Sequence, residues 1–277
     1  MKLIPSQDMK IDLLPGQEEH LCTKETIREI FARDEKGKCL AFDIFEEDRL
    51  IGFAMFCQQL PGLFFLWNYA IDAKYQNQGL GTRALREVLD YMLAHYEVKA
   101  FTTTYTWGNE EARRLYEKLG FMETDVVEEE DYKEVNMIYG VDPYGLYELA
   151  MQFIYGDGVP EDNEEAAYLL ADAHLLGCVE ATYNLGICYH YGHGVEADLK
   201  KAFELYLEAA EKGYGKGMEL VGRFYNQGIF VSPDRPQAEY WLGKAMESGD
   251  AEAAAEAEKE WQRRPVPVKG AADESVS

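Results

Sequence analysis

The sequence lacks a long hydrophobic run. Although 47% of its 277 residues are hydrophobic, they never form the stretch of about 18 apolar residues that a membrane-spanning helix needs. The first residues also lack the basic and then apolar pattern of a secretory signal. These absences predict a soluble, cytoplasmic protein.

Cysteine is scarce and scattered. The chain has five cysteines, and no two of them stand at C-x-x-C spacing, which disfavours both a disulfide framework and a zinc site. The histidines show no metal-ligand spacing either. We therefore expect no bound metal and mostly buried, reduced thiols at Cys22, Cys39, Cys57, Cys178 and Cys188.

Basic residues are outnumbered. The chain has 27 Lys and Arg against 51 Asp and Glu, a net charge of −24. Nucleic acids and anionic membranes are bound through basic patches, so neither is expected as a partner. A cationic acceptor is compatible with this charge, but acidity more often serves solubility, so charge does not choose a substrate.

The chain is organised around a glycine-containing turn at residues 75–82. An aromatic and β-branched stretch at residues 63–71 precedes it and predicts a buried strand. Apolar residues recur at helical spacing after it. Gly79 and Gly81 lack Cβ atoms, so backbone amides can approach a ligand closely, and a helix N-terminus is a natural pyrophosphate seat. The turn is therefore predicted to cradle a phosphate.

Other nucleotide-binding loops do not fit this turn. A nucleoside-triphosphate loop would need a following Gly-Lys-Ser/Thr, which is absent. The dinucleotide fingerprint has a different glycine order and an acidic ribose partner on a second βα unit. Taken alone, a plain strand-to-helix turn is the alternative.

A second motif lies at residues 109–121. It reads Asn-x-x-Ala-x-x-Leu-Tyr-x-x-x-Gly-Phe, and the turn itself reads Gln-x-x-Gly-x-Gly. In this order the two motifs resemble the acetyl-coenzyme A signatures of the GNAT superfamily of N-acetyltransferases. The resemblance implies an α+β domain with a mixed sheet over residues 1–140, and acetyl-coenzyme A as acyl donor.

The same resemblance implies roles for single residues. Amides of the turn would hold the pyrophosphate, and the backbone around two residues at the end of the preceding strand would bind the pantetheine arm. Asn109 would contact that arm, or cap its helix. Tyr116 would donate a proton to the leaving sulfur, with a core aromatic as the alternative. The predicted cofactor-binding residues are Ala70, Ile71, Gln76, Asn77, Gln78, Gly79, Leu80, Gly81, Thr82 and Asn109.

The general base has no assigned residue. Some members of the resembled family place a glutamate on the central strand, whereas residues 63–71 contain no acid. Asp72, Glu47 and Glu130, acting through water, are unranked candidates. An amine that arrives neutral would need none of them.

Local patterns predict the other elements of the first domain. Thr23 is a candidate N-cap for a short helix over residues 23–33, a region that looks abbreviated beside the two helices usual in the resembled family. The acidic run at residues 128–131 is interpreted as a solvated turn. Strands are predicted at residues 1–5, 39–45, 50–58, 100–105, 121–127 and 135–139.

Beyond a boundary at residues 140–145 the sequence repeats. The period is 36 residues, which indicates a solenoid of helical hairpins. The pattern resembles the Sel-one-like repeat, a relative of the tetratricopeptide repeat, and implies an all-α solenoid of about three units over residues 145–260. Phe230 departs from it where glycine is expected. A capping helix is predicted at residues 252–261 and a disordered tail at 262–277. Equivalent positions are Gly156, Gly192 and Gly228, and Asp162, Asp198 and Asp234.

These patterns together predict an acetyl-coenzyme A-dependent N-acetyltransferase. Its acceptor would be a primary amine, either a small amine such as a polyamine or a protein lysine or N-terminus. A protein partner is expected through the repeats. The alternative is an interaction scaffold whose first domain binds an acyl-coenzyme A without catalysis.

Overall fold

The computed structural model describes residues 1–15, 17, 21–128 and 132–263. The chain divides between Asp142 and Pro143 into two compact units. None of the described helices is long and apolar enough to cross a membrane. Most of the predicted tail and of the acidic run lies outside the described residues.

The first unit is built on a mixed sheet of seven strands in the order β1-β2-β3-β4-β5-β7-β6. Only β4 and β5 pair in parallel among these neighbours. The α+β class and mixed sheet predicted from the sequence are therefore confirmed. The elements are β1 (Lys2–Pro5), α1 (Lys24–Arg33), β2 (Cys39–Glu46), β3 (Arg49–Leu60), β4 (Leu63–Ile71), α2 (Leu80–His95), β5 (Ala100–Thr106), α3 (Glu110–Leu119), β6 (Met122–Glu128) and β7 (Lys133–Gly140).

The sheet has an apolar layer on each face because strand residues alternate in direction. On one face, Phe56 and Phe101 pack in the same core cluster as Leu85 of α2 and Tyr116 of α3. On the other face, Phe53 clusters with Ile27 of α1. Thr23 caps α1 as predicted, since its side chain accepts a hydrogen bond from the Thr26 amide at 3.1 Å.

The cysteine prediction is wrong for one pair. Cys39 of β2 lies directly opposite Cys57 of β3, with 4.2 Å between their Cα atoms, and the two form a disulfide. Their separation of 18 residues gives no sign of this pairing. Only the antiparallel register brings the two side chains together. Cys22, Cys178 and Cys188 are free thiols.

The second unit consists of helices, as predicted for a solenoid. Asp162, Asp198 and Asp234 are the N-caps of α5, α7 and α9, and Gly192 and Gly228 end α6 and α8 in the left-handed conformation. The predicted capping helix is present as α10. The helices are α4 (Pro143–Tyr155), α5 (Asn163–Leu175), α6 (Val179–Tyr191), α7 (Leu199–Glu211), α8 (Gly215–Gln227), α9 (Arg235–Glu247) and α10 (Ala251–Gln262).

Candidate active site

A cleft opens where the two parallel strands separate. β4 and β5 pair from Leu63 opposite Ala100 to Phe65 opposite Thr102, and no further pairs follow although both strands continue. The register of β4 against β3 also shifts here, which leaves Trp67 as an extra residue in a β-bulge. A bulge increases the local twist of a strand, so it helps to turn β4 away from β5.

The cleft has a volume of about 310 Å³ and collects most of the predicted site residues. Gln78 and Thr82 do not line it. Gln78 instead donates a hydrogen bond to the Lys74 carbonyl at 3.1 Å. The predicted residues that do line the cleft are Ala70, Ile71, Gln76, Asn77, Gly79, Leu80, Gly81, Asn109 and Tyr116.

One end of the cleft is the N-terminus of α2. Gly79 is the N-cap residue with φ of 72°, and no side chain caps the helix. Asn77 is also left-handed, with φ of 58°. The amides of the first turn are therefore not taken by a capping side chain, and the helix dipole adds positive potential there. This end can hold a phosphate or pyrophosphate.

The turn before α2 is tied to the end of β4 by a side chain. The Nε2 group of Gln76 donates to the Ile71 carbonyl at 2.8 Å and to the Gln17 side chain at 2.9 Å. The Gln76 side chain is thus occupied within the protein. It can contribute its backbone amide to a ligand, as the sequence predicted, while its side chain holds the turn in place.

Two family models match the chain. Residues 8–121 match the acetyltransferase (GNAT) family, and residues 143–173, 179–214 and 215–250 match the Sel1 repeat. The chain joins a GNAT acetyltransferase domain to three Sel1 repeats. The resemblances stated from the two cofactor motifs and from the repeat period are therefore confirmed.

Individual relatives match only part of the chain. The spermine/spermidine N(1)-acetyltransferase of Bacillus subtilis is 29% identical over 85 residues, 28% of this chain and 56% of its own length. A solved Sel1 repeat protein from Oxalobacter formigenes is 28% identical, with a TM-score of 0.40, over 40% of this chain and 46% of its own. A GNAT acetyltransferase from Elizabethkingia anophelis, solved with acetyl-CoA bound, is 16% identical, with a TM-score of 0.39, over 50% of this chain and 97% of its own. The chain spans about half the length of the Bacillus subtilis enzyme and of the Oxalobacter formigenes repeat protein.

Asn109 caps α3 of the GNAT domain. Its Oδ1 atom accepts a hydrogen bond from the Ala112 amide at 3.1 Å, and Glu110 and Glu111 occupy the first turn, where the helix dipole favours acids. The capping alternative is therefore confirmed. Because Asn109 also borders the cleft, capping does not remove it from reach of a ligand.

Tyr116 belongs to the core and to the cleft at once. Its side chain is 8% exposed, and its ring lies 5.5 Å from that of Phe121 between centroids. Burial raises the pKa of Tyr116, and a hydrogen bond with the Thr103 side chain opposes part of the rise. A phenol with a raised pKa is protonated at neutral pH, so the Tyr116 hydroxyl has a proton to donate.

The two candidate bases that the structure describes, Asp72 and Glu47, do not line the cleft. Both Asp72 oxygens accept backbone hydrogen bonds, from Lys74 and from Asp12 at 3.0 Å each, and Asp72 does not line the cleft. Glu47 lies in the exposed turn between β2 and β3. Glu130 lies outside the described residues.

Two acids that were not predicted as site residues line the cleft, Glu111 and Glu134. Glu111 stands inside the second motif, where its place on the helix could have indicated it. Glu134 reaches the cleft because β7 pairs with β5, which sets Glu134 opposite Thr106. No local pattern indicates that pairing. Among the residues that the structure describes, those lining the cleft include no Lys, Arg or His.

Proposed function

We propose that the protein is a cytoplasmic N-acetyltransferase that moves the acetyl group of acetyl-coenzyme A to a primary amine. The observation that carries the proposal is the single cleft that joins the uncapped N-terminus of α2 to the buried phenol of Tyr116. The helix N-terminus is a binding site for the pyrophosphate, and Tyr116 is a proton donor. The reaction needs these two groups at opposite ends of the cofactor arm.

Each part of the cleft has a place in the reaction. The amides of residues 76–77 and 79–81 bind the pyrophosphate. The backbone of Ala70 and Ile71 binds the pantetheine arm, since β4 has no strand partner on the β5 side there. The amine nitrogen attacks the thioester carbonyl carbon and the carbon–sulfur bond breaks. Tyr116 gives its proton to the departing thiolate, and the proton released by the new amide nitrogen leaves to solvent.

The lining supports a cationic acceptor. Glu111 and Glu134 attract an ammonium group, and no basic residue in the described part of the lining opposes it. A polyamine, which the Bacillus subtilis relative is named for, and a lysine side chain both have this chemistry. The Sel1 repeats would then bind a protein partner that delivers or regulates the acceptor.

Free-thiol release from acetyl-coenzyme A tests the proposal, with pooled polyamines, aminoglycosides, amino acids and lysine peptides as acceptors. Amine-dependent release is expected from the wild type, with a loss of about tenfold or more in Tyr116→Phe because the proton donor is removed. Tyr139→Phe is the matched control, since the Tyr139 ring also lies 5.5 Å from Phe121 but does not line the cleft.

The pH dependence gives a second readout. At pH 7 only about one alkyl ammonium group in a thousand is neutral, so the rate should rise with pH. Because the pKa of Tyr116 is raised, this acid should not be lost below about pH 10. Equal rates for wild type and Tyr116→Phe would overturn the role of Tyr116. Cofactor binding without turnover on any acceptor would favour the scaffold instead.

A further inference from the structure

A second tyrosine of the cleft links the two halves of the proposed cofactor site. The Tyr69 side chain is 9% exposed and lines the cleft beside Ala70. Its hydroxyl donates a hydrogen bond of 2.5 Å to the carbonyl oxygen of Gly81, in the first turn of α2. A strand that would face the acyl end of the cofactor is thus bonded to the helix end that would face the pyrophosphate.

This bond matters because the sheet does not hold that part of β4 from both sides. Beyond Phe65, β4 has no pairing with β5. The chain from Ile71 to α2 passes through a turn in which Asn77 and Gly79 have positive φ. Two side-chain bonds, from Gln76 to Ile71 and from Tyr69 to Gly81, connect the end of β4 to the turn and to the helix.

The Tyr69 hydroxyl is suited to a permanent bond rather than to proton transfer. Burial strongly raises its pKa, so it stays protonated. Its hydrogen is committed to the Gly81 carbonyl, whereas the Tyr116 hydroxyl lies beside the Thr103 side chain. The Leu85 backbone, which also hydrogen-bonds to the Tyr69 hydroxyl, has the Gly81 carbonyl as its partner in a regular helix. Removal of the Tyr69 hydroxyl therefore leaves no unpaired backbone acceptor.

We propose that Tyr69 is a positioning residue that holds the pyrophosphate seat of α2 at a fixed place relative to the acyl-binding end of β4. The inference rests on the proposed function, which assigns the pyrophosphate to the α2 end of the cleft and the acyl group to the β4 end. It predicts that loss of the Tyr69 hydroxyl weakens the binding of a ligand that spans both ends. The binding of a ligand that occupies only the phosphate site should not change.

A comparison of two ligands tests this inference. Acetyl-coenzyme A spans both ends, whereas ADP has the pyrophosphate and no pantetheine arm. In Tyr69→Phe we expect acetyl-coenzyme A to bind about fivefold more weakly or worse and amine-dependent kcat to fall by about tenfold. The inhibition constant of ADP should stay within about twofold. Titration calorimetry and steady-state kinetics supply these values.

Tyr206→Phe is the control for loss of a buried tyrosine hydroxyl. Tyr206 lies in the repeats, is fully buried, and its hydroxyl is 3.2 Å from Nδ1 of His190. This variant should bind both ligands as the wild type does, even where both variants lose a similar amount of thermal stability.

Each outcome decides the inference. Equal weakening of ADP and acetyl-coenzyme A in Tyr69→Phe would mean general damage to the seat, and no change for either would mean that the hydroxyl serves folding only. Both results overturn the positioning role, as would a wild type whose seat takes no ADP. A wild type that binds both ligands without turnover would overturn the proposed function, while the two affinities would still decide the role of Tyr69.

Discussion

Helices α5, α7 and α9 of the repeats begin differently from α2 of the GNAT domain. In the repeats, the side chains of Asp162, Asp198 and Asp234 accept hydrogen bonds of 2.9 to 3.1 Å from first-turn amides. In the GNAT domain, α2 begins at Gly79 with no side chain on its amides. The first-turn amides are satisfied by an aspartate side chain at α5, α7 and α9, whereas no side chain takes them at α2.

This difference shows that a capping side chain stabilises a helix but prevents its N-terminus from binding an anion. An N-cap aspartate satisfies donors that would otherwise need water, and it adds a negative charge to the positive end of the helix dipole. Those effects stabilise a helix, but they also occupy the place that an anion would take. A helix end that is to bind a phosphate must therefore lack the cap that α5, α7 and α9 have.

The largest expected effect is a loss of stability in the repeats, at a glycine that packs closely against the backbone of the preceding repeat. A Cβ atom at Gly194, where φ is 71°, would lie 1.8 Å from the carbonyl oxygen of Asn163. We expect Gly194→Ala to lower the free energy of unfolding by about 3 kcal/mol or more, from left-handed strain and overpacking together. Urea denaturation followed by circular dichroism measures it.

The control for that prediction is the equivalent glycine of the first repeat. Gly158 has φ of 77° and open space around its Cβ position, so Gly158→Ala should cost only about 1 to 2 kcal/mol of strain. Phe230 occupies the same position in the third repeat with φ of 61° and is 52% exposed, so a side chain is tolerated there. Equal midpoints for the two alanine variants would contradict the account.

A second prediction concerns an aspartate N-cap introduced at α2, like those of α5, α7 and α9. Gly79→Asp places an acceptor and a negative charge at the phosphate seat, and aspartate tolerates left-handed φ better than most residues. We expect acetyl-coenzyme A to bind about tenfold more weakly or worse, because the carboxylate repels the pyrophosphate. Titration calorimetry measures the affinity.

Gly79→Asn separates charge from occupancy. Its amide oxygen can cap the helix but has no charge, so the loss of affinity should be smaller than for Gly79→Asp. If the aspartate variant bound acetyl-coenzyme A as the wild type does, the pyrophosphate would not lie at the start of α2.

The smallest effect is expected from removing a cap in the repeats. Asp198 accepts from the amides of Lys200 at 2.9 Å and Lys201 at 3.1 Å. Asp198→Ala should lower the free energy of unfolding by about 1 kcal/mol, while Asp198→Asn, which keeps an acceptor, should lower it less. Acetyl-coenzyme A affinity should not change in either variant. A change in that affinity would contradict the view that the Asp198 cap stabilises the repeats without taking part in ligand binding.

The repeats could be predicted in detail because their stabilising contacts are local. Each aspartate cap acts on amides two or three residues ahead, and each helix-ending glycine is set by its own left-handed φ. Such devices recur at a fixed period in the sequence. The third repeat adopts the same left-handed φ even where Phe230 replaces glycine, so the repeat backbone overrides the preference of one residue.

In the GNAT domain, features within one continuous segment could be predicted from the sequence, but contacts between separate segments could not. The turn before α2, the Asn109 cap and the motif that contains Tyr116 are continuous in sequence, and each could be located there. Glu134 in the cleft and the disulfide of Cys39 with Cys57 could not, because strand register brings these residues to their neighbours.

By itself, the sequence determined the two-part organisation, the aspartate caps of the repeats, the turn before α2 and the position of the tyrosine in the second motif. These features depend on backbone propensity and on spacing within one helix or turn. Tertiary structure alone decided where β4 leaves β5, which acids line the resulting cleft, and that Tyr69 bonds to Gly81. Those outcomes depend on contacts between separate elements, and the free energy of such contacts is set by packing and register rather than by local sequence.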